Sequence, residues 1–251
     1  MSGHSHWATI RRKKGAADAK RGQVFTRLAR EIVLAARDGG GDPSSNVRLQ
    51  LAIDRARAQN MPKENIERAI KRGTGENKEG GALEQVYYEG YAPHGVALMI
   101  ETVTDNRNRA VADIRHALSR GGGSMADAGS VSWQFNRIAG FTFPLGSRDA
   151  DEIFELAVEA GADDVTFDNG EVEIIAPVEA FHSISQRLHA AGITPEEAGL
   201  RMAPTNEIEL GEAETLQVLK LVETLEELDD VQNVYHNLKV SDAIWAQLEE
   251  A

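Results

Sequence analysis

Arg11, Arg12, Lys13 and Lys14 stand side by side near the start of the chain, and Lys20, Arg21, Arg27 and Arg30 follow soon after. Long cationic side chains displace counterions from nucleic-acid phosphates, so several such contacts give strong, salt-sensitive binding with little sequence preference. Trp7, just ahead of the run, adds a flat ring on which an exposed base can stack. The plainer alternative is a solvated basic tail with an incidental indole, because short basic runs are common. A second constellation is Arg107 and Arg109, where a predicted strand turns into a helix with Asp105 as the expected N-cap. Free backbone N–H groups and the helix dipole would there join two cations to hold a phosphate. The competing reading is a capped turn in which Arg109 pairs back to Asp105. Lys63, Arg68, Lys71 and Arg72 share a third predicted helix, but Glu64 and Glu67 stand four residues ahead of Arg68 and Lys71. That order favours intrahelical pairs, so this helix reads as a solvated face.

Other residues exclude chemistry. There is no cysteine, hence no disulfide framework, thiolate zinc site or thiol nucleophile. The seven histidines, His4, His6, His94, His116, His182, His189 and His236, form no HExxH motif and no clear metal-ligand spacing. Gly121-Gly122-Gly123 follows a predicted helix instead of preceding one, so it faces the negative end of the dipole and is no phosphate loop. Gly73-Thr74-Gly75 lacks the remaining residues of a dinucleotide or P-loop motif. No GxSxG elbow occurs. Acidic pairs such as Asp163-Asp164, Glu196-Glu197 and Glu226-Glu227 lie in an acidic body where solvated faces are expected. The chain is read as a non-enzyme without cofactor or metal.

Charge is divided unevenly. The formal net charge is -13, yet residues 1–75 hold 16 Lys and Arg against 7 Asp and Glu, a net of +9. The remainder holds 11 basic and 33 acidic residues, a net of -22. A basic head on an acidic body points to a polyanionic partner held at one end. No stretch approaches the roughly 18 apolar residues of a membrane span, and the N-terminus has cations without an apolar signal core. A cytoplasmic protein without membrane association is expected.

The elements that must position these residues follow from periodicity. Residues 1–16 read as a basic flexible arm. Phe25, Leu28, Ala29, Ile32, Val33 and Ala36 fall on one helical face that ends at Gly39-Gly40-Gly41. A second helix after Asp42-Pro43-Ser44-Ser45 buries Leu49, Ala52, Ile53 and Ala56. A third, from Pro62, buries Ile66, Ala69 and Ile70 and stops at Gly73. Beyond a polar linker, strands are expected at 86–91 and 96–103, a helix at 106–120 burying Val111, Ile114 and Leu118, and a strand at 131–135. Residues 140–210 then read β-α-β-β-α-β, with a hairpin around Asp168-Asn169-Gly170, which is the ferredoxin-like order. A last helix (213–228) and strand (231–237) complete the sheet begun at Val86. The expected fold is therefore α+β: an N-terminal three-helix domain followed by two α/β domains, the last a ferredoxin-like unit inserted into a discontinuous middle domain. The boundaries are 17–78 for the helical domain, 79–138 plus 211–251 for the middle domain, and 139–210 for the inserted one.

Longer words now matter. Gly3-His4-Ser5-His6-Trp7-Ala8-Thr9-Ile10, Lys13-Lys14-Gly15-Ala16-Ala17-Asp18-Ala19-Lys20-Arg21-Gly22, Gly39-Gly40-Gly41-Asp42-Pro43, Asn60-Met61-Pro62 and Asn65-Ile66-Glu67-Arg68-Ala69-Ile70 closely resemble the YebC/PmpR family. So do Tyr88-Glu89-Gly90-Tyr91, Thr104-Asp105-Asn106-Arg107-Asn108-Arg109 and Gly129-Ser130-Val131-Ser132-Trp133. His6, where a Lys is common, and Arg11-Arg12 depart mildly from the usual words and keep the arm polar. The resemblance implies the three-domain architecture and a role in gene expression. Members are conventionally named DNA-binding transcriptional regulators; others, including a mitochondrial activator of cytochrome oxidase synthesis, look like ribosome-bound translation factors that assist difficult peptide sequences. The candidate nucleic-acid-binding set is His4, Ser5, Trp7, Arg11, Arg12, Lys13, Lys14, Lys20, Arg21, Arg27, Arg30, Arg107 and Arg109. The expected partner is DNA or ribosomal RNA, the latter on the ribosome.

Overall fold

The computed structural model describes residues 18–77, 81–241 and 244, with side chains from residue 22 onward. Three helices open it: α1 (Asp18–Gly39), α2 (Val47–Ala58) and α3 (Lys63–Gly73). The apolar spacing explains what they bury. α2 turns Leu49, Ala52, Ile53 and Ala56 inward, the four residues its period selects. α1 buries five consecutive residues, Ile32–Ala36, so the helix is enclosed on all sides over that stretch, before it emerges at Arg37. Asn46 joins the two helices. Its Oδ1 accepts the Leu49 N–H (3.1 Å) as the α2 N-cap, and its Nδ2 donates to the carbonyls of Ala35 and Gly40 (2.8 Å each).

Gly73 is the last residue of α3, where the sequence placed the stop, and packing also requires it. An added Cβ there would stand 2.5 Å from the Val33 carbonyl oxygen and 2.7 Å from the Ala36 Cβ. It is glycine because α3 crosses α1 there with no room for a side chain. The left-handed residue that ends the helix is Gly75 (φ +79°). Ile70, expected in the core, is only half-buried.

The rest of the chain builds two four-stranded antiparallel sheets. The elements of the first are β1 (Glu84–Tyr91), β2 (Ala97–Thr104), α4 (Arg107–Arg120) and β3 (Ser124–Ala126). Next come β4 (Phe135–Pro144), α5 (Ala150–Glu159), β5 (Asp164–Asp168), β6 (Glu171–Pro177), α6 (Phe181–Ala190) and β7 (Glu197–Pro204). The chain closes with β8 (Ile208–Glu209), α7 (Glu212–Glu226), β9 (Val231–His236) and β10 (Leu238–Lys239). The first sheet has the order β3-β1-β2-β9, so the late strand β9 does complete the sheet begun by β1. β2 is central and buried at every position, and its core side meets α4 and α7 through Leu98, Ile100, Ile114, Leu118, Val222 and Val234. The second sheet has the order β5-β6-β4-β7, which with α5 and α6 is the ferredoxin-like arrangement. Its β5–β6 hairpin closes on Asn169 (φ +48°) and Gly170 (φ +80°), the residue pair a tight two-residue turn prefers. The chain is thus α+β, N-terminal helices followed by antiparallel sheets, as the sequence led us to expect.

Four local expectations need correction. Residues 131–135 are not a strand: Val131 is buried, Ser132–Gln134 form a 3-10 turn, and β4 starts at Phe135. β4 then runs straight through Gly140 to Pro144 instead of restarting at Phe141. Gly140 permits this because a Cβ there would meet the Arg201 guanidinium at 2.6 Å, and Arg201 must reach across to the buried Glu173 carboxylate. The short strand β3 escaped notice because its three residues carry no readable period. In α4, Ala110 and Ala117 are buried with Ile114 and Leu118, whereas Val111 is only half-buried.

By packing, the chain forms two compact units. Among the described residues, one takes in 28–77 and 137–201; the other holds those up to Arg27, 81–136 and those from Met202 onward. Within the first, Leu51 of α2 packs on the ferredoxin-like core and Arg55 donates to the Ala198 carbonyl at 3.0 Å. No helix among the described residues is long and apolar enough to cross a membrane.

Candidate nucleic-acid interface

His4, Ser5, Trp7, Arg11, Arg12, Lys13 and Lys14 lie outside the described residues. The described structure begins where their segment joins α1, whose first turn carries Lys20 and Arg21. This end of α1 is anchored at the α7–β9 turn. The Gln23 carboxamide donates to the Glu227 carbonyl (3.2 Å), and the Gln232 carboxamide donates to the Arg27 carbonyl (2.9 Å). Arg27 and Arg30 are half-buried, and neither is without a partner.

The same turn holds the second candidate pair. Arg109 grips Asp230 with two donors, Nε to Oδ2 at 2.9 Å and Nη2 to Oδ1 at 3.0 Å, and Nη2 also meets Asp105 at 3.0 Å. Asp230 is buried, so this forked pairing supplies the charge that its desolvated carboxylate requires. The hydrogen bonds, to Asp230 first and then Asp105, hold the Arg109 guanidinium above its ordinary pKa. The N-cap of α4 is Asn106, not Asp105: the Asn106 Oδ1 accepts the Arg109 N–H at 3.1 Å, and the Thr104 hydroxyl accepts the Asn106 N–H at 2.9 Å. Arg107 is exposed and pairs with Glu84. Arg109 therefore sits in the capped, carboxylate-paired turn, and an incoming phosphate would compete with two carboxylates for it. Two groups that lie far apart in sequence, the end of the cationic helix and the Arg107–Arg109 turn, are brought to one place.

The other cations of the helical segment are largely answered by carboxylates. Arg37 and Arg48 both meet Asp38 (3.1 and 3.0 Å), Arg57 meets Asp54 (3.3 Å), and Arg55 meets Glu31. On α3 the expected order of pairing is altered. Glu67 turns back to Lys63 at 3.6 Å, and Arg68 and Lys71 stand exposed.

One feature of the unit that holds residues 81–136 was not picked out as functional from sequence. The loop before β4 presents Trp133 at 69% exposure, unusual for so large an apolar ring. The loop is held rigidly by the buried Glu89, whose carboxylate accepts the backbone N–H groups of Gly129 (2.7 Å), Val131 (2.6 Å) and Ser132 (3.0 Å). Burial pushes the Glu89 carboxyl up, but these backbone donors together outweigh it and hold the group below the usual range. The indole N–H donates to the Ser130 carbonyl at 3.0 Å, which fixes the ring. The sequence signal was present in the alternation Tyr87, Glu89, Tyr91, which sends a carboxylate to an aromatic face where only a ring of donors could justify it.

Comparison with known proteins places the chain. The model of the TACO1/YebC protein N-terminal domain matches residues 5–76, and that of the TACO1/YebC second and third domain matches residues 83–238. The chain belongs to the TACO1/YebC family. A relative from Acidithiobacillus ferrooxidans, named "Probable transcriptional regulatory protein", is 53% identical over 99% of both chains. One of the same description from Chlorobaculum tepidum is 49% identical over the full length of both. A crystal structure of a conserved hypothetical protein from Aquifex aeolicus superposes with a TM-score of 0.81 at 41% identity, covering 90% of this chain and 93% of that one. The TACO1/YebC resemblance read from the opening words thus extends across the whole chain. Its N-terminal match takes in ten of the candidate residues between Ser5 and Arg30.

Proposed function

We propose that this TACO1/YebC-family chain is a non-enzymatic, cytoplasmic regulator of gene expression that binds nucleic acid through its basic N-terminal quarter. The observation that carries the reading is the segregation of charge, +9 over residues 1–75 against -22 over the rest. DNA is the first target, in keeping with the transcriptional names of full-length relatives. The most perturbed groups support a non-catalytic reading, since each is explained by the fold: Glu89 by its loop, Arg109 by Asp230, His236 by burial.

A second target, ribosomal RNA, is favoured by how the helices spend their cations. Arg37, Arg48, Arg55 and Arg57 face carboxylates of their own unit, and α3 alternates Arg68 and Lys71 with Glu64 and Glu67. That leaves no continuous row of donors for base edges in a major groove among the described residues. An arm that follows phosphates and stacks an indole suits folded RNA with splayed bases.

The test is binding of the wild type and an Arg11→Ala, Arg12→Ala, Lys13→Ala, Lys14→Ala variant to genomic DNA fragments and to purified ribosomes, in parallel across a salt series. The variant is expected to keep its fold, bind more weakly, and lose about one unit of salt slope per lost phosphate contact. Tight, sequence-selective DNA binding identifies the transcriptional role; saturable, arm-dependent ribosome binding with weak DNA affinity identifies the translational one. Unchanged affinity and slope on both would remove the arm from the mechanism.

A further inference from the structure

We infer that the outer face of α5, with the adjoining end of β5, is a docking surface for a basic amphipathic segment of another protein. α5 buries Ile153 and Ala157 in the ferredoxin-like core, yet Phe154 and Val158, one turn apart on its outer flank, are each 48% exposed. Phe167 on β5 is 38% exposed. It shares a strand face with Val165, which packs into the same core as α5, so its ring lies on the helix-covered side of the sheet. β5 is also an edge strand. Three of the six exposed large apolar side chains of the described chain thus fall within residues 150–168.

The charge around them selects the occupant. Residues 150–168 contain seven Asp and Glu and no Lys or Arg. Asp151 and Glu152 also serve the α5 N-terminus, where the helix dipole favours negative charge. Glu155, Glu159, Asp164 and Asp168 have no such duty, and all four are exposed. The cation near them is Arg187, 3.7 Å from Glu159. Apolar anchors ringed by carboxylates repel nucleic acid and an identical acidic face, and complement a helix that alternates Lys or Arg with large apolar residues. The surface does not depend on the nucleic-acid reading and gives the acidic body a task of its own.

The probe is a fluorescein-labelled amphipathic peptide of about 18 residues, long enough to form a helix on contact, with leucines along one face and lysines elsewhere; a leucine–glutamate peptide of the same pattern is the control. Fluorescence anisotropy with the full-length protein should show saturable binding of the lysine peptide alone. A Phe154→Ser, Val158→Ser variant leaves every charge in place and should bind about tenfold more weakly, with an unchanged thermal midpoint. Should that variant fail to fold, a Glu155→Lys, Glu159→Lys variant serves instead, and is expected to reject the lysine peptide and accept the glutamate one. Equal affinity for wild type and the folded serine variant, or for the charge-reversed variant, would overturn the docking surface. Tighter peptide binding by the four-alanine arm variant would also overturn it, by assigning the face to the chain's own N-terminal segment.

Discussion

Asp230 and Arg109 show why a cation can be conspicuous in a sequence and still be spent inside the fold. The two are 121 residues apart, so nothing local reveals that the Arg109 fork closes on a buried carboxylate. Sequence spacing offered only the nearer partner, Asp105, which the structure also uses. Asn106 caps the helix by accepting the Arg109 N–H, and Asp105 meets the guanidinium of the same residue. Arg109→Ala takes two charged donors from the buried Asp230 carboxylate and should lower stability by about 1–3 kcal/mol. Arg107→Ala loses an exposed pair with Glu84 and should stay within about 0.5 kcal/mol of wild type. Urea denaturation of both variants checks the contrast; equal effects would contradict the structural role given to Asp230.

Among the elements, those with a strong period were legible and those set by distant contacts were not. The three N-terminal helices and the β-α-β-β-α-β order follow from the spacing of apolar residues and from the Asn169-Gly170 turn. The segment 131–135 misled because Val131 and Phe135 look like strand residues, whereas Glu89, more than forty residues upstream, bends the backbone between them. Glycine shows the same division. In helices, Gly→Ala is ordinarily stabilising by about 0.5–1 kcal/mol. Gly22, in α1 with open space around it, should follow that rule. Gly73 should reverse it, since a methyl there strikes the Val33 carbonyl, and overpacking costs about 1–3 kcal/mol. Thermal midpoints that shift in opposite directions for Gly22→Ala and Gly73→Ala would bear this out; a shared sign would mean that α3 can slide off α1.

For the molecule as a whole, the charge division was readable from composition, while the way the basic end is anchored was not. Gln23 and Gln232, which fasten α1 to the α7–β9 turn, are ordinary polar residues without a motif. Global stability carries a further mark in His236. Burial drives its imidazole down to about 4 from the usual 6.5, against a smaller opposing hydrogen bond that the imidazole donates to the Leu238 backbone. The unfolded chain therefore takes up this proton first. Stability from this group is complete above pH 6.5, falls by up to about 1.4 kcal/mol per unit as the pH drops from 6.5 toward 4, and changes no further below that. Measured unfolding free energies should decline across this window in the wild type and flatten in His236→Gln. Glu89, held below its ordinary range, keeps its contribution until lower pH, so the two losses separate along the titration.

Apart from one hydrogen bond from the Ser132 side chain, the clasp that Glu89 places on residues 129–132 addresses main-chain N–H groups. Such a grip is indifferent to side-chain identity, provided that Gly129 keeps its left-handed backbone (φ +89°) and Val131 its buried seat. Ser130 and Trp133 can therefore be exchanged while the loop keeps its shape. The loop of this chain is thus a fingertip whose surface chemistry can be altered without refolding the hand.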